Sequence, residues 1–132
     1  MYKIVLLFAI AFLLFIAHII YLADTAQKSI FFEIVKATPY GDKIGHIFLF
    51  GTLTLAVNIG FKFFKFEFFR FKFYVGTLII PFIVLAEEIS QYYFPNRTLD
   101  GFDLLADAIG ISFATIATLH IQKRINRVAR GL

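Results

Sequence analysis

Cysteine is absent from the chain, which excludes disulfides, iron-sulfur clusters and thiolate zinc sites and leaves the redox compartment open. Charge is scarce as well: only 17% of the 132 residues are Asp, Glu, Lys or Arg, against 60% hydrophobic residues. With a mean hydropathy of +0.81, this balance lies outside soluble composition, where apolar usage is roughly half. The composition therefore points to an integral membrane protein. The length accommodates about four spans of about 20 residues each, so residues 1–132 read as one membrane domain. The net charge of +4 does not indicate nucleic acid, because the basic residues cluster where the positive-inside rule expects them.

The first span is read over residues 4–23, opened by Lys3 and closed by Asp24. It is longer than a signal-peptide core and no small-residue cleavage site follows, so an uncleaved span is expected. His18 within it reads as a neutral imidazole bonded to a neighbouring helix rather than a catalytic group. Ser29 caps a short segment with Ile30, Phe31, Ile34 and Val35 at helical spacing, ended by Pro39-Tyr40-Gly41. This predicts an interfacial helix, with an ordinary loop as the alternative.

The second span covers 42–61, with Asp42 at its N-cap or first turn and His46 four residues on, on the same face. Between Phe61 and Tyr74, Lys62, Lys65, Arg70 and Lys72 alternate with aromatic rings. Such interleaving suits single-stranded nucleic acid, but between two spans it fits a cytoplasmic interfacial turn better, and no nucleic-acid partner is expected. The third span, 73–93, must run past Glu87 to cross about 30 Å of hydrocarbon. That places Glu87, Glu88 and Gln91 below the outer interface, with Pro81 predicting a kink in mid-span. A loop follows, broken by Pro95 and Gly101, and its Asn96-Arg97-Thr98 triplet matches a glycosylation sequon of a kind common by chance.

On the fourth span, 102–121, Asp103 and Asp107 share a face with Ala106, Gly110 and Ala114. Small residues permit close helix contact, so that face should point into the bundle. A basic tail, 122–132, carries Lys123, Arg124, Arg127 and Arg130. The expected architecture is an all-α four-transmembrane-helix bundle with both termini cytoplasmic and a short interfacial helix between spans one and two.

This topology gathers Asp42, His46, Glu87, Glu88, Gln91, Arg97, Asp100, Asp103 and Asp107 on the outer side. Ionisable groups at membrane depth mark functional sites by default. One arginine satisfies at most two carboxylates, so an excess of negative charge remains. The ordered set Asp42-Lys43-x-x-His46, Glu88-x-x-Gln91, Pro95-x-Arg97, Asp103 and Gly110 resembles the VanZ-like family of small bacterial membrane proteins, over about residues 42–110. An Asn is usual in that family where this chain has Asp107. The resemblance implies a multi-pass protein of the bacterial cytoplasmic membrane and a link to low-level resistance to the glycopeptide antibiotic teicoplanin.

The leading expectation is an outward-facing intramembrane site that binds or processes a cell-envelope lipid or its headgroup. Its ligand-binding residues would be Asp42, His46, Glu88, Gln91, Arg97, Asp103 and Asp107, with Arg97 holding a phosphate or carboxylate and His46, Glu88 and Asp103 as candidates for proton transfer. The alternative is a metal-assisted hydrolase or transferase, with His46, Glu88, Asp103 and Asp107 around a divalent cation. Neither an HExxH spacing nor a nucleophile motif accompanies that set. A third reading has the polar residues serve helix packing or a protein partner. Proton-coupled transport ranks last, since no internal repeat is visible.

Overall fold

The computed structural model describes residues 1–95, 97 and 100–131; Asn96 and Thr98 of the sequon lie outside them. Along the chain run α1 (Tyr2–Asp24), α2 (Ile30–Ala37), α3 (Gly41–Gly60), β1 (Lys65–Phe68), β2 (Phe71–Tyr74), α4 (Val75–Gln91) and α5 (Gly101–Gly131). Of these, α1, α3 and α5 are long and apolar enough to cross a membrane.

The apolar face of α1 begins the core. Ile16 belongs to one buried cluster with Phe50 and Leu53 of α3, Ile80 and Val84 of α4 and Ile111 of α5. Phe15 carries the packing on to α2 through an edge contact with Phe31. Ser29 caps α2 as its sequence predicts, accepting a hydrogen bond from the Phe31 amide at 3.3 Å. The outward surfaces of α1, α3 and α5 remain apolar, with Leu7, Leu14, Phe48 and Phe113 all about two-thirds exposed (66% each). His18 is exposed on that surface and not turned toward a neighbouring helix as the sequence suggests.

Three sequence expectations need correction. The fold is not purely helical, because residues 65–74 form an antiparallel hairpin pairing Lys65 with Tyr74 and Glu67 with Lys72. Lys65, Glu67, Lys72 and Tyr74 fall on one face of the hairpin and Phe66, Phe68, Phe71 and Phe73 on the other, a period-two division that is strand chemistry. The hairpin takes up residues 71–74, so α4 starts at Val75, and it stops at Gln91 before the Tyr92-Tyr93 turn. It has 17 residues where 21 were expected, about 26 Å at 1.5 Å per residue, and it runs unbroken through Pro81. The basic tail is also no separate segment: α5 continues through it for 31 residues in all.

α3 and α5 make the closest crossing. A methyl group on Gly110 would collide with the backbone carbonyl oxygen of Ile47, and one on Gly51 would sit 3.1 Å from the carbonyl oxygen of Gly110. Glycine at these two points lets the backbones touch. At the hairpin end, Asn58 of α3 is fully buried and caps α4 from outside it, its Oδ1 accepting from the Gly76 and Thr77 amides at 2.7 and 3.3 Å. Its Nδ2 donates to Thr77 Oγ1 and Thr118 Oγ1. This junction fixes α3, α4 and α5 together at one end, leaving their opposite ends to converge around the acidic residues.

Candidate functional site

At that opposite end the side chains sort into two groups, each organised by one cation. Lys43, in the first turn of α3, donates to Asp42 at 3.3 Å and to Asp100 at 2.6 Å, and also bonds Asp103. Arg97 reaches from the loop to Asp24 of α1 at 2.8 Å and Glu87 of α4 at 2.9 Å. Gln91, one turn after Glu87, donates to the same Glu87 Oε1 at 2.8 Å. Between the two groups, Glu88 accepts the Asp100 amide at 3.0 Å.

His46 lies one turn below Asp42, as the spacing predicts. Its Nδ1 is 2.8 Å from Asp107 Oδ1. A carboxylate accepts only, so Nδ1 is the donor and a neutral ring presents its lone pair at Nε2. That nitrogen is 3.8 Å from both Asp42 Oδ1 and Asp103 Oδ2.

The acidic face of α5 does point inward. Asp103, Ala106, Asp107, Gly110 and Ala114 are all buried, with Asp107 fully so. Glu87, Glu88 and Gln91 are buried likewise. All seven expected ligand-binding residues therefore come to one end, but not to one point. Arg97 is committed to Asp24 and Glu87, and Asp107 stands behind His46. Sequence reasoning missed Lys43 as a hub and Asp24 as a partner. The signal for Lys43 was its place three residues before His46, on an adjoining helical face.

The charge inventory stays negative. Asp24, Asp42, Glu87, Glu88, Asp100, Asp103 and Asp107 face Lys43 and Arg97, seven acids against two bases. Three buried carboxylate oxygens, Glu87 Oε2, Glu88 Oε2 and Asp107 Oδ2, have no hydrogen-bond partner among the described residues. At the rim, the Lys43 ammonium and the Phe102 amide hold the Asp100 carboxyl below its ordinary range. A depressed carboxyl stabilises the fold above its unfolded pKa of about 4, and that contribution is lost as pH falls through the lower folded value. The melting temperature of Asp100→Asn should accordingly lie below that of the wild type near neutrality and converge with it on acidification; parallel melting curves across this range would contradict the contact.

Beside the acids lies a cavity of about 480 Å³ between α1, α2 and α3. Phe12, Ile16, Ile20, Phe31 and Leu49 form apolar wall, while Asp42, His46, Glu87 and Arg97 form its polar end.

Fold and site together define a helical bundle with three membrane-length apolar helices, a buried anionic cluster at one end and an apolar cavity leading to it. Comparison of the chain with family models, with curated proteins and with solved structures finds no match.

Proposed function

We propose that this is a multi-pass protein of the bacterial cytoplasmic membrane that binds, or processes, a cell-envelope lipid through an outward-facing site. On this reading α4 is a fourth crossing element. Its 17 helical residues are extended toward the interface by the exposed rings of the hairpin, Phe66, Phe68, Phe71 and Phe73. α5, about 46 Å long, exceeds the hydrocarbon thickness and carries Lys123, Arg124, Arg127 and Arg130 beyond it. Those cations and the hairpin's Lys65, Arg70 and Lys72 share one end of the bundle, joined by the Tyr74 hydroxyl bond to Gln122. The positive-inside rule makes that end, with both termini, cytoplasmic. The acidic cluster then faces outward, and α2 lies along the outer interface.

The observation that carries the reading is the cavity, whose apolar length and polar end match an amphipathic ligand. An acyl or isoprenoid chain would lie against Ile16 and Leu49, with the headgroup beside Asp42 and His46. Both terminal nitrogens of Arg97 are already engaged, so the headgroup would offer donors to carboxylates, as sugar hydroxyls or an ammonium group do. The resemblance to the VanZ-like family agrees with such a ligand and makes teicoplanin sensitivity a fitting cellular phenotype.

Lipids extracted from the purified protein and counted by mass spectrometry test the reading. Leu49→Trp fills the cavity and should reduce the co-purifying lipid at least about tenfold, while protein yield and melting temperature hold. Unchanged lipid content in this variant would remove the cavity as a binding site.

A further inference from the structure

We infer that Asp42, His46 and Asp103 form a site for one divalent transition-metal ion, with Asp107 and Lys43 as its supporting shell. The inference goes beyond lipid binding and does not depend on it. One ligand atom from each of the three residues lies within 4.8 Å of the other two. With Nδ1–H donated to Asp107, a neutral His46 turns three acceptor atoms toward one another: the lone pair on Nε2, Asp42 Oδ1 and Asp103 Oδ2. Acceptors facing one another repel unless a cation or a shared proton stands between them.

The other atoms of these residues are already committed, and in the way metal ligands usually are. Histidine ligands commonly donate their second ring nitrogen to a carboxylate, which fixes the tautomer and strengthens the ligand. Asp107 does this for His46 at 2.8 Å. Lys43 holds Asp42 Oδ2 and Asp103 Oδ1, the oxygens turned away from His46. A second observation points to missing positive charge at the same place. Glu88 is 3% exposed and Asp107 0%, each keeps one buried oxygen without a hydrogen-bond partner among the described residues, and Glu88 is within electrostatic reach of Asp103 and His46. Lys43 alone does not balance five surrounding carboxylates, Asp42, Glu88, Asp100, Asp103 and Asp107.

Bonds of about 2.1 Å in a tetrahedral site put ligand atoms about 3.4 Å apart. The two 3.8 Å separations approach this, and the Asp42 side chain, 60% exposed, has the freedom to close the triangle. One imidazole with two carboxylates selects zinc, manganese or iron(II) over magnesium and calcium, which prefer all-oxygen shells. The remaining coordination positions would be open to water or to a ligand oxygen.

The test uses tag-free protein in detergent, stripped with a chelator and dialysed against micromolar Zn²⁺ or Mn²⁺, with Mg²⁺ and Ca²⁺ in parallel. Elemental analysis should find one Zn²⁺ or Mn²⁺ per chain. Affinity should fall at least tenfold in His46→Ala and in Asp42→Asn, and about 10 to 100-fold in Asp107→Asn. Asp42→Asn alters an exposed side chain and keeps the result interpretable if a buried variant misfolds. The inference is overturned if the wild type binds neither ion, if binding is unchanged in both His46→Ala and Asp42→Asn, or if only Mg²⁺ or Ca²⁺ binds.

Discussion

Truncation of Arg97 to alanine is expected to destabilise the protein by about 3 kcal/mol, the lower end of what removing one partner of a buried ion pair costs. The Arg97 side chain is 17% exposed and bridges Asp24 and Glu87, whose side chains are 11% and 5% exposed. With the guanidinium gone, Glu87 retains, among the described residues, only Gln91 as a donor to Oε1, and its other oxygen has no hydrogen-bond partner among them. A desolvated carboxylate left without that donor must draw in water, and the rearrangement weakens the packing of α4. Glu87→Gln in the alanine background removes the charge without changing shape, so it should recover part of the lost stability. Thermal or denaturant unfolding in one detergent measures both steps. A wild-type melting temperature for Arg97→Ala would show that water, not protein, solvates this arginine. The double variant also serves function, because lipid binding by a refolded Arg97→Ala/Glu87→Gln protein separates a structural role for Arg97 from contact with a ligand.

What the sequence made legible was periodic. Asp103, Asp107, Gly110 and Ala114 recur on one helical face, and the structure buries that face against α3. The four-residue step from Asp42 to His46 likewise sets both beside α5. Contacts that depend on how helices register against one another were not legible. Nothing in the local sequence around Asp24 links it to Arg97, 73 residues away. Asn58 resembles any polar residue near a helix end until Gly76 and Thr77 are brought to it. The hairpin was obscured for a different reason. Nearly every residue from 61 to 74 is either aromatic or basic, so the period-two pattern is partly filled in by extra phenylalanines. Phe69 also occupies a left-handed conformation at φ 55° in its tight turn, where glycine or asparagine would have announced a hairpin.

The two cations give the site its form by fixing which carboxylates remain available. Lys43 ties the first turn of α3 to the first turn of α5 through Asp103 and to the preceding loop through Asp100. Arg97 ties the same loop to α1 and α4. Arg97 and Asp100 are thereby anchored to the helices, and His46 lines the cavity's polar end with one nitrogen engaged and the other 3.8 Å from two carboxylate oxygens. Such an arrangement costs stability through charge repulsion, a cost that a purely structural cluster would avoid by using amides. That excess favours a bound donor or cation over simple helix cross-linking.

The second large effect should come from Gly110. Alanine there is expected to cost about 2 kcal/mol, within the usual range for overpacking, and leucine should prevent recovery of folded protein. The added methyl would meet the Ile47 carbonyl oxygen, a backbone atom held in the α3 helix that cannot rotate aside. Relief requires α3 and α5 to separate. Gly110 lies one turn beyond Asp107 and Ile47 directly follows His46, so the separation would act where His46 and Asp107 meet at 2.8 Å. The internal control is Gly45→Ala, also on α3, where nothing lies within 4 Å of the new methyl and the gain in helix propensity should leave stability equal or slightly higher. Melting temperatures and the ring-nitrogen NMR signals of His46 in the two variants measure the two consequences. Gly110→Ala should lower the first and perturb the second, and Gly45→Ala should change neither appreciably. If both alanine variants melt together with native His46 signals, the α3–α5 crossing is looser than a backbone contact and does not set the position of His46 against Asp107.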